Sequence, residues 1–246
     1  MNYYGTEKHK KELEELEKEI FSKIAPDCLC NERDLGFGYT LKVYCLTIQK
    51  GYYGTKGTVF ELYKDENEIF IWKANGNEGL AQIIEHSDGK KYLLYKEDMY
   101  GYSVLDLETL DSVHYIPELS KRGLEDGFEE TFIWCEAFYD KQSDLLAVEG
   151  CYWGGIYSVI FIDFSDPMKI KEYSDWLCIG DEDYIVEKSF VPSGWKKDSI
   201  GDISFEKWTD KSLVCISETE DCSEENKTVK RILEVSKEEI AEELRS

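Results

Sequence analysis

Apolar residues recur along this chain with two different periods. Over residues 6–24, Leu13, Leu16, Ile20 and Ile24 fall at helical spacing and form one narrow stripe. That stripe predicts an amphipathic helix packed on the body of the fold. Thr6 stands where a hydroxyl can cap the first turn, and Pro26 stops the helix because proline offers no amide to its interior. Glu7/Lys11, Glu14/Lys18 and Glu19/Lys23 are i,i+4 pairs in the favourable order, each adding roughly 0.2–0.5 kcal/mol. A second, shorter helix is expected from Ser236 to about Arg245. Ser236 and Glu239 form an S-x-x-E capping box, and Ile240 and Leu244 supply the apolar face.

Between the helices the period changes to that of strands. Residues 58–63, 68–72, 91–95, 103–107, 131–135, 145–148, 157–164 and 212–216 are rich in β-branched and aromatic side chains. Turn residues separate them: Asn75-Gly76, Asp88-Gly89, Gly154-Gly155 and the polar run 221–226. Residues 157–164 are almost wholly apolar, which predicts a central strand covered on both faces.

These strands recur in order. Phe70-Ile71-Trp72 returns as Phe132-Ile133-Trp134, Ser87-Asp88 with Leu93-Leu94 as Ser143-Asp144 with Leu145-Leu146, and Tyr102-Ser103-Val104 as Tyr157-Ser158-Val159. A fainter third copy runs from Ile203 through Trp208 to Val214. A spacing of some 50 to 60 residues with three or four strands per unit is that of a propeller blade, which must stack on neighbours to cover its faces. The expected fold is therefore mainly β. It is a propeller-like repeat of antiparallel sheets, an open or small propeller, with short N- and C-terminal helices. A large β-sandwich is the competing architecture. The expected organisation is an N-terminal helix and linker over 1–34, a β repeat domain over 35–235 and a C-terminal helix over 236–246. Neither a Trp-Asp dipeptide at a blade end nor a kelch double glycine in register is present. The stretch from Trp134-Cys-Glu-Ala-Phe-Tyr139 through residues 145–153 to Asp163-Phe-Ser-Asp-Pro167 resembles uncharacterised bacterial β-propeller-like repeat proteins. The resemblance implies the repeat fold and no activity.

Composition narrows the picture. With 6 Trp, 17 Tyr and 11 Phe the chain has the apolar surface to build a real core. Its 52 acidic residues outnumber 29 basic ones, for a formal net charge of -23. Such a field repels nucleic-acid phosphates and anionic membranes and favours a basic protein partner. The N-terminus leads into a charged helix without an apolar signal core, and no run is long enough to span a membrane. A cytoplasmic setting is expected, in which the 8 cysteines are free thiols. Cys135, Cys151 and Cys215, in apolar runs, read as small buried hydrophobes.

Candidate chemistry is sparse. Cys28-x-Cys30 with Cys45 lacks the second knuckle or histidines of a zinc site, and His9, His86 and His114 are scattered, so no metal and no cofactor are expected. The Gly-rich segment 51–58 lacks the Gly-Lys-Ser/Thr ending of a phosphate loop and reads as a hairpin. Asp181-Glu182-Asp183 lacks the alternating ligands of a calcium loop and reads as solvated. Glu136 and Glu149 sit among aromatic residues, as a catalytic carboxyl pair acting on a sugar would. Two aromatic, Gly-containing bends supply a candidate recognition surface: Tyr100 and Tyr102 in one, Glu149, Tyr152, Trp153 and Tyr157 in the other. Those same rings could instead close the core. The leading expectation is a non-catalytic acidic protein-binding module, for instance an immunity-type inhibitor of a basic toxin or enzyme. The alternative is a carboxylate-dependent hydrolase acting on a carbohydrate through Glu136 and Glu149.

Overall fold

The computed structural model describes residues 2–50, 53–76, 79–117, 131–152, 157–179, 189–195, 201–221 and 227–246. Among them the chain is mainly β, with one helix near each end: α1 (Glu7–Glu19) and α2 (Lys237–Arg245). Among the described residues sixteen strands form four sheets, and none of these sheets closes into a barrel. Sheet 1 holds β1 (Leu29–Gly36), β2 (Tyr39–Lys50), β3 (Tyr53–Lys64) and β4 (Asn67–Asn75). Sheet 2 holds β5 (Ala81–Glu85), β6 (Lys91–Tyr95), β7 (Tyr102–Asp106) and β8 (Ser112–Tyr115). Sheet 3 holds β9 (Ile133–Asp140), β10 (Leu145–Cys151), β11 (Tyr157–Asp163), β12 (Leu177–Ile179) and β13 (Ser189–Phe190). Sheet 4 holds β14 (Asp202–Trp208), β15 (Ser212–Asp221) and β16 (Lys227–Ser236). Strands follow one another in chain order as antiparallel neighbours, the meander plan of a propeller blade; only β13 lies parallel to its neighbour.

The register explains which part of the sequence repeat is structural. Ser87-Asp88 and Ser143-Asp144 both lie between the first and second strands of their sheets, and Tyr102 and Tyr157 both open third strands. Ile203 and Leu213 fall on the first and second strands of sheet 4. Phe70–Trp72 breaks the pattern, because it lies in the last strand of sheet 1 while Ile133 opens the first strand of sheet 3. That match reflects the shared taste of strands for aromatic and β-branched residues.

The chain divides into two compact units, Met1–Glu85 with Lys90–Glu118, and His86–Gly89 with Leu119–Ser246. In the first, alternation along the strands sends Leu41 and Val43 of β2, Phe60 and Leu62 of β3, and Trp72 and Ala74 of β4 inward. They meet Leu93, Tyr95 and Leu105 of sheet 2 in one core. Phe60 and Trp72, directly opposite across β3 and β4, stack at 4.7 Å, and the buried indole of Trp72 donates to Lys96 O at 3.2 Å. In the second unit, Leu145, Ala147, Val159, Phe161, Leu177 and Ile179 of sheet 3 pack with Ile203, Leu213, Cys215 and Val235 of sheet 4 and with Ile240 of α2. Strand β11 is central, with β10 and β12 on either side, and is buried on both faces from Ser158 to Ile162.

Both helix starts follow from their caps. Thr6 Oγ1 accepts from His9 N at 3.2 Å, and Ser236 Oγ accepts from Glu238 N and Glu239 N. The expected capping box at Ser236 is only half made. Glu239 Oε1 instead accepts from the backbone N–H and hydroxyl of Ser193, both at 2.9 Å. The end of α1 differs from the expectation: the helix stops at Glu19, well before Pro26. Ile20 and the short turn Phe21–Lys23 follow, and both Ile20 and Phe21 are buried. They pack where Gly57 of β3 leaves room; a Cβ at Gly57 would lie 2.9 Å from Ile20 Cγ2 and 3.0 Å from a Phe21 ring carbon. Burying these two large side chains outweighs the few tenths of a kcal/mol per residue that one more helical turn returns. Along the helix itself Leu13 is 40% exposed, and only His9 is fully buried.

Cysteine chemistry requires a correction as well. Cys30 and Cys45 are disulfide-bonded, with Cα atoms 5.9 Å apart, so the eight are not all free thiols. Leu29 pairs with Tyr44 and Asn31 with Val43, which makes Cys30 the extra residue of a β-bulge and brings it beside Cys45. Cys215 is buried as expected, and burial, aided by the charge of Glu149, pushes its thiol up to about 12. Cys135 is exposed, contrary to expectation, and Cys151 is only partly buried. The cause is again a bulge: Glu149 pairs with Glu136 and Gly150 with Trp134, leaving Cys135 unpaired on outer strand β9.

Candidate acidic cleft

The register of sheet 2 assembles a polar row. Tyr95 lies opposite Ser103, and Ser103 opposite His114, so the three side chains share one face. Ser112, two residues before His114 on β8, joins the same face. His114 Nδ1 lies 2.9 Å from Ser103 Oγ and 3.0 Å from Glu97 Oε1, while Nε2 lies 2.9 Å from Ser112 Oγ. The N-terminal segment completes the surround. Asn2 Nδ2 donates to His114 O at 2.8 Å, Asn2 Oδ1 accepts from Ile116 N at 3.1 Å, and the Tyr4 ring stacks on His114 at 4.0 Å. Burial, and next the charge of Glu97, push the Tyr4 phenol up to about 12.

This clip leads into α1, which lines a cleft with Glu97 and Asp98. Gly5 takes a φ of +75°, which few L side chains tolerate, and its amide donates to His9 Nδ1 at 3.1 Å. Between the helix and the β6–β7 connection lies a cleft of about 210 Å³. Glu12, Glu15 and Glu19 line it from α1, with Leu13 and Leu16 as its apolar part; Asn75, Glu97 and Asp98 line the other side. His9 is the remaining lining residue, and neither a lysine nor an arginine is among them. Burial lowers the pKa of His9; Glu97, Asp98 and Glu12 oppose this and His114 adds to it, with a net lowering below the ordinary 6.5. The imidazole is therefore neutral at pH 7, and five carboxylates line the cleft beside it.

Ser112, His114 and Glu97 have the connectivity of a hydrolytic triad, but the order is reversed. In a nucleophilic triad the hydroxyl faces the substrate and the carboxylate lies behind. Here Glu97 lines the cleft, while Ser112 does not. His114 thus holds Glu97, 16% exposed, at the cleft.

The residues expected to form a recognition surface fall in different settings. Tyr100 is partly buried, and its amide donates to Asp98 Oδ1 at 3.3 Å. Tyr102 and Tyr152 are 4% and 5% exposed; Tyr102 packs on Tyr115, and the Tyr152 hydroxyl accepts from that of Tyr173 at 3.3 Å. These two rings close the cores of their units, the competing role considered for them. Tyr157 is 45% exposed and near Cys135, Cys151 and Glu149, which together raise its phenol's pKa. Trp153 lies outside the described residues, as do Gly154-Gly155, Asp181–Asp183 and Cys222. Glu136 and Glu149 are direct cross-strand partners, but Glu149 Oε2 accepts from Phe205 N at 2.9 Å and so ties sheet 3 to sheet 4. Among the described residues no group of three His, Cys, Asp or Glu is placed to hold a metal ion, and no helix is long and apolar enough to cross a membrane. The cleft was missed from sequence, although Glu12, Glu15 and Glu19 do share one helical face; Glu97 and Asp98 come from some 80 residues away.

No family model matches the chain. A stretch of 41 residues is 44% identical to an uncharacterised protein of Acanthamoeba polyphaga mimivirus, covering 17% of this chain and 16% of the viral one. This sequence match is viral, which overturns the likeness to bacterial repeat proteins drawn from residues 134–167. Among solved structures the chain aligns with MPT-1, a GDP-Man-dependent mannosyltransferase from Leishmania mexicana, at a TM-score of 0.36 and 12% identity. The alignment covers 76% of this chain and 62% of that one.

Proposed function

We propose that this chain is a non-catalytic, acidic protein-binding module that receives a lysine or arginine side chain of a basic partner in the cleft between α1 and Glu97. The observation that carries the reading is the cleft lining: five carboxylates, a neutral His9 and two leucines. At about 210 Å³ the space falls short of the roughly 300 Å³ at which small-molecule pockets begin. It suits one long cationic side chain, whose methylenes lie on Leu13 and Leu16 while its head meets carboxylates. The formal charge of -23 adds long-range attraction for a basic protein. An immunity-type inhibitor of a basic toxin or enzyme, working in the cytoplasm, is the concrete form we propose.

Co-purification from the native cell tests this reading. We expect a basic protein whose affinity falls with added salt. Glu97→Gln is expected to weaken binding about tenfold or more, since it removes a partly desolvated partner charge. Glu242→Gln, the same charge change on exposed α2, is expected to leave affinity unchanged. Equal losses in the two variants, or recovery of the chain without a basic partner, would overturn the proposal.

A further inference from the structure

The sulfurs at the edge of sheet 1 are not a single isolated pair. Cys30 is exposed on edge strand β1, Cys45 is half-buried on β2, and the two are bonded. Cys28 is a free, half-buried thiol two residues ahead of Cys30, at the end of the short turn Pro26–Cys28 that packs on β2. The register makes this third sulfur relevant. Leu29 pairs with Tyr44, so one further antiparallel step sets position 28 opposite Cys45. The bulge at Cys30 is what instead delivers Cys30 to Cys45. Cys45 is bonded to Cys30 through the bulge, and extending the regular ladder by one residue would set Cys28 opposite the same Cys45. Exposure on an edge strand is the setting of labile, exchangeable disulfides, whereas structural ones are sheltered.

We propose that Cys28, Cys30 and Cys45 form a thiol–disulfide exchange site in which Cys45 is shared between the other two. Oxidation proceeds with a small disulfide such as oxidised glutathione. The thiols of Cys30 and Cys45 give up two protons and two electrons, the protein S–S bond forms, and two glutathione thiols are released. In the exchange step the Cys28 thiolate attacks Cys45 Sγ. The Cys28–Cys45 bond forms, the Cys30–Cys45 bond breaks, and Cys30 leaves as a thiolate that takes up the proton Cys28 lost. Moving the bond to Cys28 releases Cys30 from the bulge, so the state of the bond sets how β1 begins. This inference is independent of the cleft's ligand.

Differential alkylation and mass spectrometry of the full-length native protein, equilibrated in glutathione buffers from reducing to oxidising, test the site. Wild type is expected to lose two alkylatable thiols of this trio together. Exposed Cys135 serves as a control that stays reactive with respect to this pairing. Cys30→Ser is expected to form the Cys28–Cys45 bond under the same oxidising buffer, and Cys28→Ser the Cys30–Cys45 bond. Cys45→Ser is expected to leave Cys28 and Cys30 as thiols or glutathione mixed disulfides. If Cys28 and Cys45 stay thiols in folded Cys30→Ser, verified by circular dichroism, Cys45 is not shared and the proposal fails. It fails equally if wild type holds Cys30–Cys45 across the whole range and yields it only on unfolding in urea, the behaviour of a structural staple.

Discussion

Asp106 shows how one residue can hold a hairpin. It is buried at the end of β7, where burial by itself would raise its pKa. The Lys90 ammonium at 2.8 Å and the amides of Glu108 at 2.9 Å and Thr109 at 3.2 Å outweigh that, and its pKa is lowered overall. A carboxyl with a depressed folded pKa stabilises the fold above its unfolded pKa, about 3.9, and that contribution is lost as pH falls through the folded value. Asp106→Asn is therefore expected to cost about 1.5–3 kcal/mol at pH 7, because a charge-assisted bond to Lys90 is lost. The gap to wild type should begin to narrow below about pH 4 and close only once pH has fallen through the lowered folded pKa, where the wild-type carboxyl is uncharged as well. Urea midpoints measured across pH check this; a gap independent of pH would refute it. The choice of Asp at 106 gave no hint of this from sequence, since its partners Lys90 and Thr109 are set by the hairpin pairing.

Helix α2 illustrates the scale of an element. Its nine residues would be marginal alone, because nucleation is costly and the helix is short. Beside the buried Ile240, it is held by the Ser236 cap and by Lys237, whose ammonium lies 2.7 Å from Asp140 Oδ2 with both side chains largely buried. Lys237 also lies over the Trp208 ring at 5.5 Å. Ser236→Ala is expected to cost about 1 kcal/mol, the worth of a cap. Lys237→Ala is expected to cost about 3–5 kcal/mol, because it strands the Asp140 carboxylate in a buried setting. Chemical denaturation of the two variants decides the order; a larger loss at Ser236 would show that the ion pair contributes little. The cap was legible as a serine before an apolar, glutamate-rich run. The ion pair was not, since Asp140 lies almost a hundred residues earlier.

At the scale of the whole molecule, 52 carboxylates against 29 basic side chains make the folded chain repel itself. Raising ionic strength to about 0.15 M shortens the screening length to roughly 8 Å and damps that repulsion. The melting temperature is therefore expected to rise by a few degrees as sodium chloride goes from low millimolar to physiological levels, measured by calorimetry. A melting temperature that falls over this range would mean that favourable ion pairs such as Lys90–Asp106 and Lys237–Asp140 outweigh the net repulsion.

The sequence by itself determined what depends on a few neighbouring residues. Strand period, turn glycines, helix caps, the in-order repeat of the strands and the sign of the net charge all belong to this class, because local sterics and pattern decide them. Tertiary structure decided what depends on residues far apart in the chain. Burial of Ile20 and Phe21 against Gly57 ended α1 early. A bulge in β1 chose Cys30 as the partner of Cys45. The turn of α1 over the β6–β7 connection gathered charge that is spread along the sequence into one cleft. The physical reason is common to all three: close packing brings together groups whose sequence separation carries no local signal.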